Sequence, residues 1–268
     1  MVRLRPALVA SDIDGTLLHS DGTLSRRTQD AIAGLDRAGI PLVLVTARPM
    51  RWMADFRGLA GLHGLAVVSN GAVVMDLGTG EPLEVTGIAP ADGLALVEAV
   101  RAAVPGARVA VETPAGLVRD AAYVESHPIP SGSPAGPLAE VWVDPGVKLL
   151  VQHPDGAEVV DGDAFRSAVA EALGERATPT WTIPGLVEVG PPGVTKATTL
   201  ARVAAELGVG PEDVMAFGDM PNDIPMLTWA GRGLAVANAH ADVLAVADGV
   251  VPANDEDGVA RTLEGLLG

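Results

Sequence analysis

"ALVASDIDGTLLHSDGTLS", residues 7–25, decides how the chain is read. A short apolar run, "ALVAS", reads as a buried strand and ends on two acids, Asp12 and Asp14. Ile13 stands between them, and Gly15 and Thr16 follow. Alternation along an extended strand lets both acids face one site while Ile13 points into the fold. Carboxylates are costly to bury, so a strand delivering two of them to its end calls for a compensating charge nearby.

The same strand–helix rhythm continues outward from that stretch. "SRRTQDAIAGLDRAG" (25–39) predicts a helix with Ser25 as N-cap, Gly39 as stop and an apolar face of Ala31, Ile32, Leu35 and Ala38. "IPLVLVTA" (40–47) has the unbroken apolar pattern of a parallel strand covered on both faces. A helix is expected over 50–60. "LAVVSNGAVVMD" (65–76) reads as strand, Asn-Gly turn, strand. "TKATTLARVAAELG" (195–208) places Leu200, Val203, Ala204 and Leu207 at i, i+3, i+4 and i+7 of a helix. "DVMAFGD" and "GLAVAN" read as strands. "NDIPMLTWAG" and "AHADVLAVA" read as helices, "GVV" as a short strand and the last residues as a closing helix. This alternation implies an α/β fold with a doubly wound parallel sheet.

The middle differs. Helices are expected at "PADGLALVEAVRAAVPG" (90–106) and "GDAFRSAVAEALG" (162–174). Around them "ARVAVET", "GLVRDA", "EVWVD", "GVKLLVQH" and "GLVEVG" read as strands. Pro/Gly stretches such as "HPIPSGSPAGP" (127–137) lie between. Residues 81–189 are expected to form an α+β domain inserted into a core of 1–80 and 190–268. Hinges fall near Gly78–Pro82 and Pro191–Gly193.

Composition bounds the function. The 268 residues are 48 % hydrophobic and 19 % charged, as in a packed globular protein, with 3 % aromatics and no cysteine. Disulfides, thiolate metal sites and cysteine nucleophiles are thereby excluded. Net charge is −16; residues 81–189 contribute −10 and the flanks −6. Neither part has the basic footprint of a nucleic-acid or anionic-membrane binder. No apolar window reaches membrane-spanning length, and no signal peptide is recognised. The economical expectation is a soluble cytoplasmic protein that binds neither nucleic acid nor membrane. Its oligomeric state is not legible. There is no GxSxG, Walker A or GxGxxG segment. The five histidines, at 19, 63, 127, 153 and 240, show no metal-ligand spacing.

In an open parallel sheet, ligands bind at the carboxyl ends of strands. Polar residues fall at four such ends: Asp12 and Asp14; Thr46 and Arg48; Asp219, Asn222 and Asp223; and Asn238. Four carboxylates on one rim of an acidic protein repel one another unless a cation or raised pKa values relieve them. Mg²⁺, which prefers oxygen ligands, is the natural candidate. The chain has 16 Arg and only two Lys, at 148 and 196. A Lys where Arg is the habit suggests a need for a compact point charge at 196. Lys148 reads as a strand residue.

"DIDGTLL", "VTAR", "GVTKATTL" and "GDMPNDIPML", in that order at those strand ends, resemble the haloacid dehalogenase superfamily. "SNGA" (69–72) and "ANAHADVLAVADGVVPANDEDGVA" (237–260) extend the match across both flanks. The insertion between the second and third motifs looks like the C2B cap of the Cof-type branch, subfamily IIB.

The resemblance implies a Mg²⁺-dependent phosphatase for small phosphorylated metabolites, sugar phosphates first among them. The inserted domain would close over the site and read the leaving group. Asp12 would be the nucleophile and Asp14 the general acid and base. Thr46 would bond a phosphoryl oxygen, with the Ala47 amide as a second donor, and Lys196 would neutralise charge. Metal ligands would come from Asp12, the Asp14 carbonyl, Asp219 and Asp223. Asn70, Gly71 and Asn222 would face substrate. Arg48 would either hold substrate phosphate or sit on the rim, and Asn238 would organise its loop. The family often has Gly after its lysine, where this chain has Ala197. Arg119, Tyr123, His127 and Lys148 are polar candidates for specificity. A sugar-phosphate mutase and a non-catalytic binding protein on the same scaffold are the alternatives.

Overall fold

The computed structural model describes residues 5–59, 61, 64–124, 128–156, 161–181, 183 and 185–267. Two compact units emerge: Met1–Glu84 with Thr195–Gly268, and Val85–Val194.

The first unit is built on an eight-stranded sheet. Its strands are β1 (Leu8–Ser11), β2 (Leu42–Val45), β3 (Leu65–Val68), β4 (Val73–Asp76), β5 (Pro82–Val85), and then β11 (Val214–Gly218), β12 (Arg232–Val236) and β13 (Gly249–Val251). Their order across the sheet is β13-β12-β11-β1-β2-β3-β4-β5. Pairing is parallel from β13 through β3 and antiparallel between β3 and β4. The chain winds one way from β1 to β3 and the other way from β11 to β13. The direction reverses at β1 and β11, the place where such sheets open a crevice at their carboxyl ends.

Local chemistry follows the sequence closely in this unit. All four residues of β1 are buried. Helix α1 (Arg26–Arg37) starts where the Ser25 hydroxyl accepts the Thr28 N–H, and its buried face is Thr28, Ala31, Ile32 and Leu35. The stop at Gly39 has φ 71°, a left-handed position that favours glycine. The expected helix over 50–60 is instead two 3₁₀ segments, Met50–Trp52 and Ala54–Leu59. Met53 and Phe56 are the two residues buried along 50–59, too few for the apolar stripe that would support an α-helix there.

The second unit carries a five-stranded sheet of order β7-β6-β8-β10-β9. The strands are β6 (Arg108–Thr113), β7 (Gly116–Arg119), β8 (Lys148–Gln152), β9 (Thr178–Thr180) and β10 (Leu186–Gly190), all antiparallel. Helices α2 (Pro90–Ala103) and α4 (Gly162–Leu173) cover one face with Leu96, Val97, Val100, Phe165, Val169 and Leu173. The stretch "EVWVD" does not form the expected strand. Leu138–Val141 is a short helix, α3, started by Pro137, and buried Trp142 follows it. A Cβ at Gly93 would lie 1.8 Å from the Trp142 ring, so helix and indole interlock there. On the opposite sheet face Ala110, Leu117, Tyr123 and Leu150 form a small apolar cluster. Glu112, Lys148 and Glu188 are buried too, and Lys148 Nζ lies 2.5 Å from Glu188 Oε1.

Among the described residues no helix is long and apolar enough to cross a membrane.

Candidate active site

Five chain segments converge at the carboxyl ends of β1, β2, β3 and β11. Asp12 follows β1, and its backbone N–H donates to Phe217 O of β11 at 3.0 Å. Helix α5 (Lys196–Glu206) begins with a capping box of Thr195 and Thr198, which fixes Lys196 as its first residue. The Lys196 ammonium then reaches Asp12 Oδ1 at 2.6 Å and Asp223 Oδ1 at 2.7 Å. Asp12, Lys196, Asp219 and Asp223 are all buried.

Asp223 organises the strand end that carries Asp219. Its Oδ2 accepts the backbone N–H groups of Asp219 and Met220, each at 3.1 Å. With Lys196 on the other oxygen, the Asp223 carboxylate is engaged on both sides. Asp219 Oδ1 accepts from the Thr16 hydroxyl at 2.8 Å, and Asp219 O accepts the His240 N–H. Gly15 makes this close approach possible. Its φ is +75°, and a Cβ there would stand 2.4 Å from Asp219 Oδ2. Asn238 bridges two loops, donating to Gly15 O at 2.7 Å and accepting from Asn254 N.

The neighbouring strand ends close the rim. Thr46 Oγ1 accepts the Arg48 N–H at 3.0 Å. Thr46 O and Arg48 O accept the N–H groups of Asn70 and Ser69. Ser69, Asn70 and Gly71 all have positive φ, an expensive turn for two non-glycine residues. A Cβ at Gly71 would lie 2.4 Å from Thr195 O, so this turn packs directly on the start of α5. Asn222 Nδ2 donates to Asn70 Oδ1 at 3.0 Å, while Asn222 Oδ1 is buried and without a partner among the described residues.

Three carboxylates around one ammonium leave an excess of buried negative charge. Burial pushes the Asp12 carboxyl well above its usual range; Lys196 opposes this, and Asp223 and Asp219 add to it. Burial and then the charge of Asp223 push Asp219 up to about 6. Burial pulls Lys196 down, yet Asp12 and Asp223 outweigh it and hold the ammonium above its ordinary value. Ligand atoms of Asp12, Asp219 and Asp223 lie within 4.8 Å of one another. This oxygen donor set and its unrelieved charge fit a hard divalent cation.

Asp14 stands apart from this group. Its side chain is 57 % exposed and pairs with Arg48, Nε to Oδ2 at 2.7 Å and Nη2 to Oδ1 at 2.6 Å. Two relations escape a reading of the sequence. One is this Asp14–Arg48 pair, because residues 34 positions apart on different strands show no spacing signal. The other is the Thr16 bond to Asp219. Of the specificity candidates, Arg119 donates to the carbonyls of Asp120 and Tyr123, Tyr123 is buried, Lys148 lies in β8, and His127 falls outside the described residues.

This constellation at a sheet's switch point defines a class, the hydrolases of α/β fold that work with strand-end carboxylates. A family model for haloacid dehalogenase-like hydrolases matches residues 9–126 and 156–263, and the chain belongs to that family as an enzyme of the phosphatase type. Similar curated proteins include the 5-amino-6-(5-phospho-D-ribitylamino)uracil phosphatase YcsE of Bacillus subtilis, 27 % identical over 96 % of this chain and 94 % of the relative. The pyridoxal phosphate phosphatase YbhA of Escherichia coli is 29 % identical over 95 % of this chain and 96 % of that protein. Among solved structures, BT1666 of Bacteroides thetaiotaomicron, studied among the phosphatases of this superfamily, has a TM-score of 0.82 at 25 % identity, covering 98 % of this chain and 96 % of its own.

Proposed function

We propose that the protein is a Mg²⁺-dependent phosphatase of small phosphorylated metabolites, sugar phosphates first among them, working through an aspartyl-phosphate on Asp12. The observation that carries the reading is the buried chain Asp12–Lys196–Asp223 beside Asp219. The relatives' activities support the substrate class, since YcsE and YbhA are both phosphatases of small phosphorylated compounds. Asp12, Asp219 and the Asp14 carbonyl would hold the metal. A bound Mg²⁺ supplies the positive charge that lets an anionic nucleophile meet an anionic phosphoryl group.

The chain's own groups do the rest. An Asp12 carboxylate oxygen bonds to phosphorus as the bond to the leaving oxygen breaks. The proton on Asp14 passes to that oxygen. Water then attacks phosphorus and gives a proton back to Asp14; the acyl-phosphate bond breaks, and the Asp12 carboxylate is restored. Lys196 stays protonated between Asp12 and Asp223 and offsets the phosphoryl charge. The Thr46 hydroxyl, oriented by the Arg48 N–H, turns its own hydrogen to a phosphoryl oxygen, with the Ala47 amide beside it. Asn70, Gly71 and Asn222 line the substrate side.

The test is phosphate release from a panel of phosphorylated metabolites. Release is expected with Mg²⁺ and a loss of roughly 100-fold or more in EDTA, since charge neutralisation by the metal is worth several kcal/mol. Equal turnover in EDTA, or an isomerised product without free phosphate, refutes the proposal.

A second test reads binding without turnover. Asp219, raised to about 6, is protonated in the folded state where an unfolded Asp has already ionised. The folded state therefore holds more protons between about pH 4 and 6, and this group's contribution to stability falls as pH rises through that window. A cation restores it above pH 6. At tenfold excess over its Kd, Mg²⁺ is worth about 1.4 kcal/mol, or roughly 3–6 °C in Tm. That rise is expected at pH 7.5 and less than about half of it at pH 5. A calorimetric shift equal at both pH values would count against Asp219 as a ligand.

A further inference from the structure

Asp14 occupies an exposed turn, where a carboxyl with two free torsions samples several rotamers. Among the described residues one side chain bonds it, and that bond is a two-pronged fork from Arg48. Arg48 is itself well anchored. Its side chain is 21 % exposed. Its guanidinium carbon lies 5.1 Å from the Phe56 ring centroid. Its backbone N–H and C=O are bonded to Thr46 Oγ1 and Ser69 N. A planar fork of donors fixes the plane of the carboxyl it holds, which a point charge cannot do.

We infer that Arg48 is a positioning residue that aims the Asp14 carboxyl at the leaving oxygen, acting through Asp14 and not on the phosphoryl group. The inference rests on the phosphatase reading above, in which Asp14 transfers the proton. In the step it serves, the Asp12–phosphorus bond forms, the bond from phosphorus to the leaving oxygen breaks, and the Asp14 proton moves to that oxygen. Both prongs of Arg48 fit the carboxylate left on Asp14; before the transfer the guanidinium holds the unprotonated oxygen while the other oxygen directs its O–H to the leaving oxygen.

The two roles open to Arg48 separate by leaving group. An alkoxide needs its proton as it departs; p-nitrophenolate leaves without one. Because kcat/KM reports the first phosphoryl transfer, it isolates this step from the later attack of water. Arg48→Met is expected to lower kcat/KM by about 30-fold for an alkyl phosphate, within the range that misplacing a catalytic group costs. For p-nitrophenyl phosphate the loss stays under about threefold. That retained activity also reports that the variant has folded. Arg48→Lys, which restores the charge and not the fork, is expected to recover less than about a third of the alkyl-phosphate loss.

Equal losses for both substrates with a raised KM would assign Arg48 to phosphate binding and overturn the inference. Full recovery by Arg48→Lys would overturn it too, since charge alone would then suffice. Asp14→Asn tests the underlying reading: if it turns over the alkyl phosphate like the parent, Asp14 carries no proton and the phosphatase mechanism fails at that residue. An Asp14→Asn loss confined to alkyl phosphate, with Arg48→Met neutral, leaves that mechanism standing and removes Arg48 from it.

Discussion

Asp12→Asn is expected to lower phosphate release by at least about 10⁴-fold while leaving the fold intact, because it removes the nucleophile and nothing of its shape. An amide oxygen is a poor nucleophile and forms no stable acyl-phosphate. Stability is expected to move by less than about 1 kcal/mol, for reasons specific to this cluster. Lys196 keeps Asp223 as a charged partner at 2.7 Å, and the amide oxygen introduced in place of the carboxylate can still accept from the ammonium. The substitution also takes away one of three mutually repelling carboxylates, and burial already disfavours the charged form of Asp12. Thermal unfolding in EDTA at pH 7.5 should therefore show a Tm equal to or above that of the parent protein. Turnover above about 1 % of the parent value would remove Asp12 from the nucleophile's role, since rates that high are far beyond what binding alone leaves behind.

The rim is legible in the sequence, and the pairing within it is not. Strand ends are readable because apolar runs stop where the polar residues start, and Asp12, Thr46 and Asp219 all fall at such stops. Lys196 stands out because the chain otherwise uses Arg, and the capping box around Thr195 explains how it is aimed. What spacing cannot carry is which oxygen meets which donor. The motif groups Asp223 with Asp12 and Asp219, and their ligand atoms lie within 4.8 Å of one another, but spacing does not show that the Asp223 oxygens also accept from Lys196 and from two backbone N–H groups. Alternation sets Asp14 beside Asp12, whereas its side chain turns to Arg48. In the second unit "EVWVD" has strand composition, but Pro137 and Pro145 bracket it and Trp142 needs a deep apolar seat. Tertiary packing there overrides β-propensity. The 3₁₀ segments after β2 illustrate the same limit, since the apolar residues of that stretch (Met50, Trp52, Met53, Ala54, Phe56 and Leu59) follow no clean period and only Met53 and Phe56 of them are buried.

Lys196→Met carries the second large effect, on stability as well as turnover. The ammonium is 2 % exposed and touches Asp12 and Asp223 at once. Replacing it with an apolar chain of similar length leaves three buried carboxylates with no compensating charge, and breaking a buried ion pair from one side costs about 3–5 kcal/mol. The loss should depend on pH in a fixed direction. Without the ammonium, Asp12 and Asp219 are pushed higher than they already stand, so the folded state holds still more protons than the unfolded one near neutrality. The variant's Tm deficit in EDTA is expected to be largest at pH 7.5 and to shrink as the pH falls toward 5 and the carboxyls protonate. Phosphate release should drop by roughly 10³-fold or more, because the cation that offsets phosphoryl charge is gone. Stability and catalysis then part in the double variant Lys196→Met with Asp223→Asn. The amide introduced at position 223 can keep the Asp219 and Met220 N–H groups on its oxygen and takes away one of the three uncompensated carboxylates, so part of the lost stability returns. Turnover does not, since no positive charge has been restored. A double variant that regained activity together with stability would make Lys196 a structural cation only, and the charge on the phosphoryl group would have to be met elsewhere.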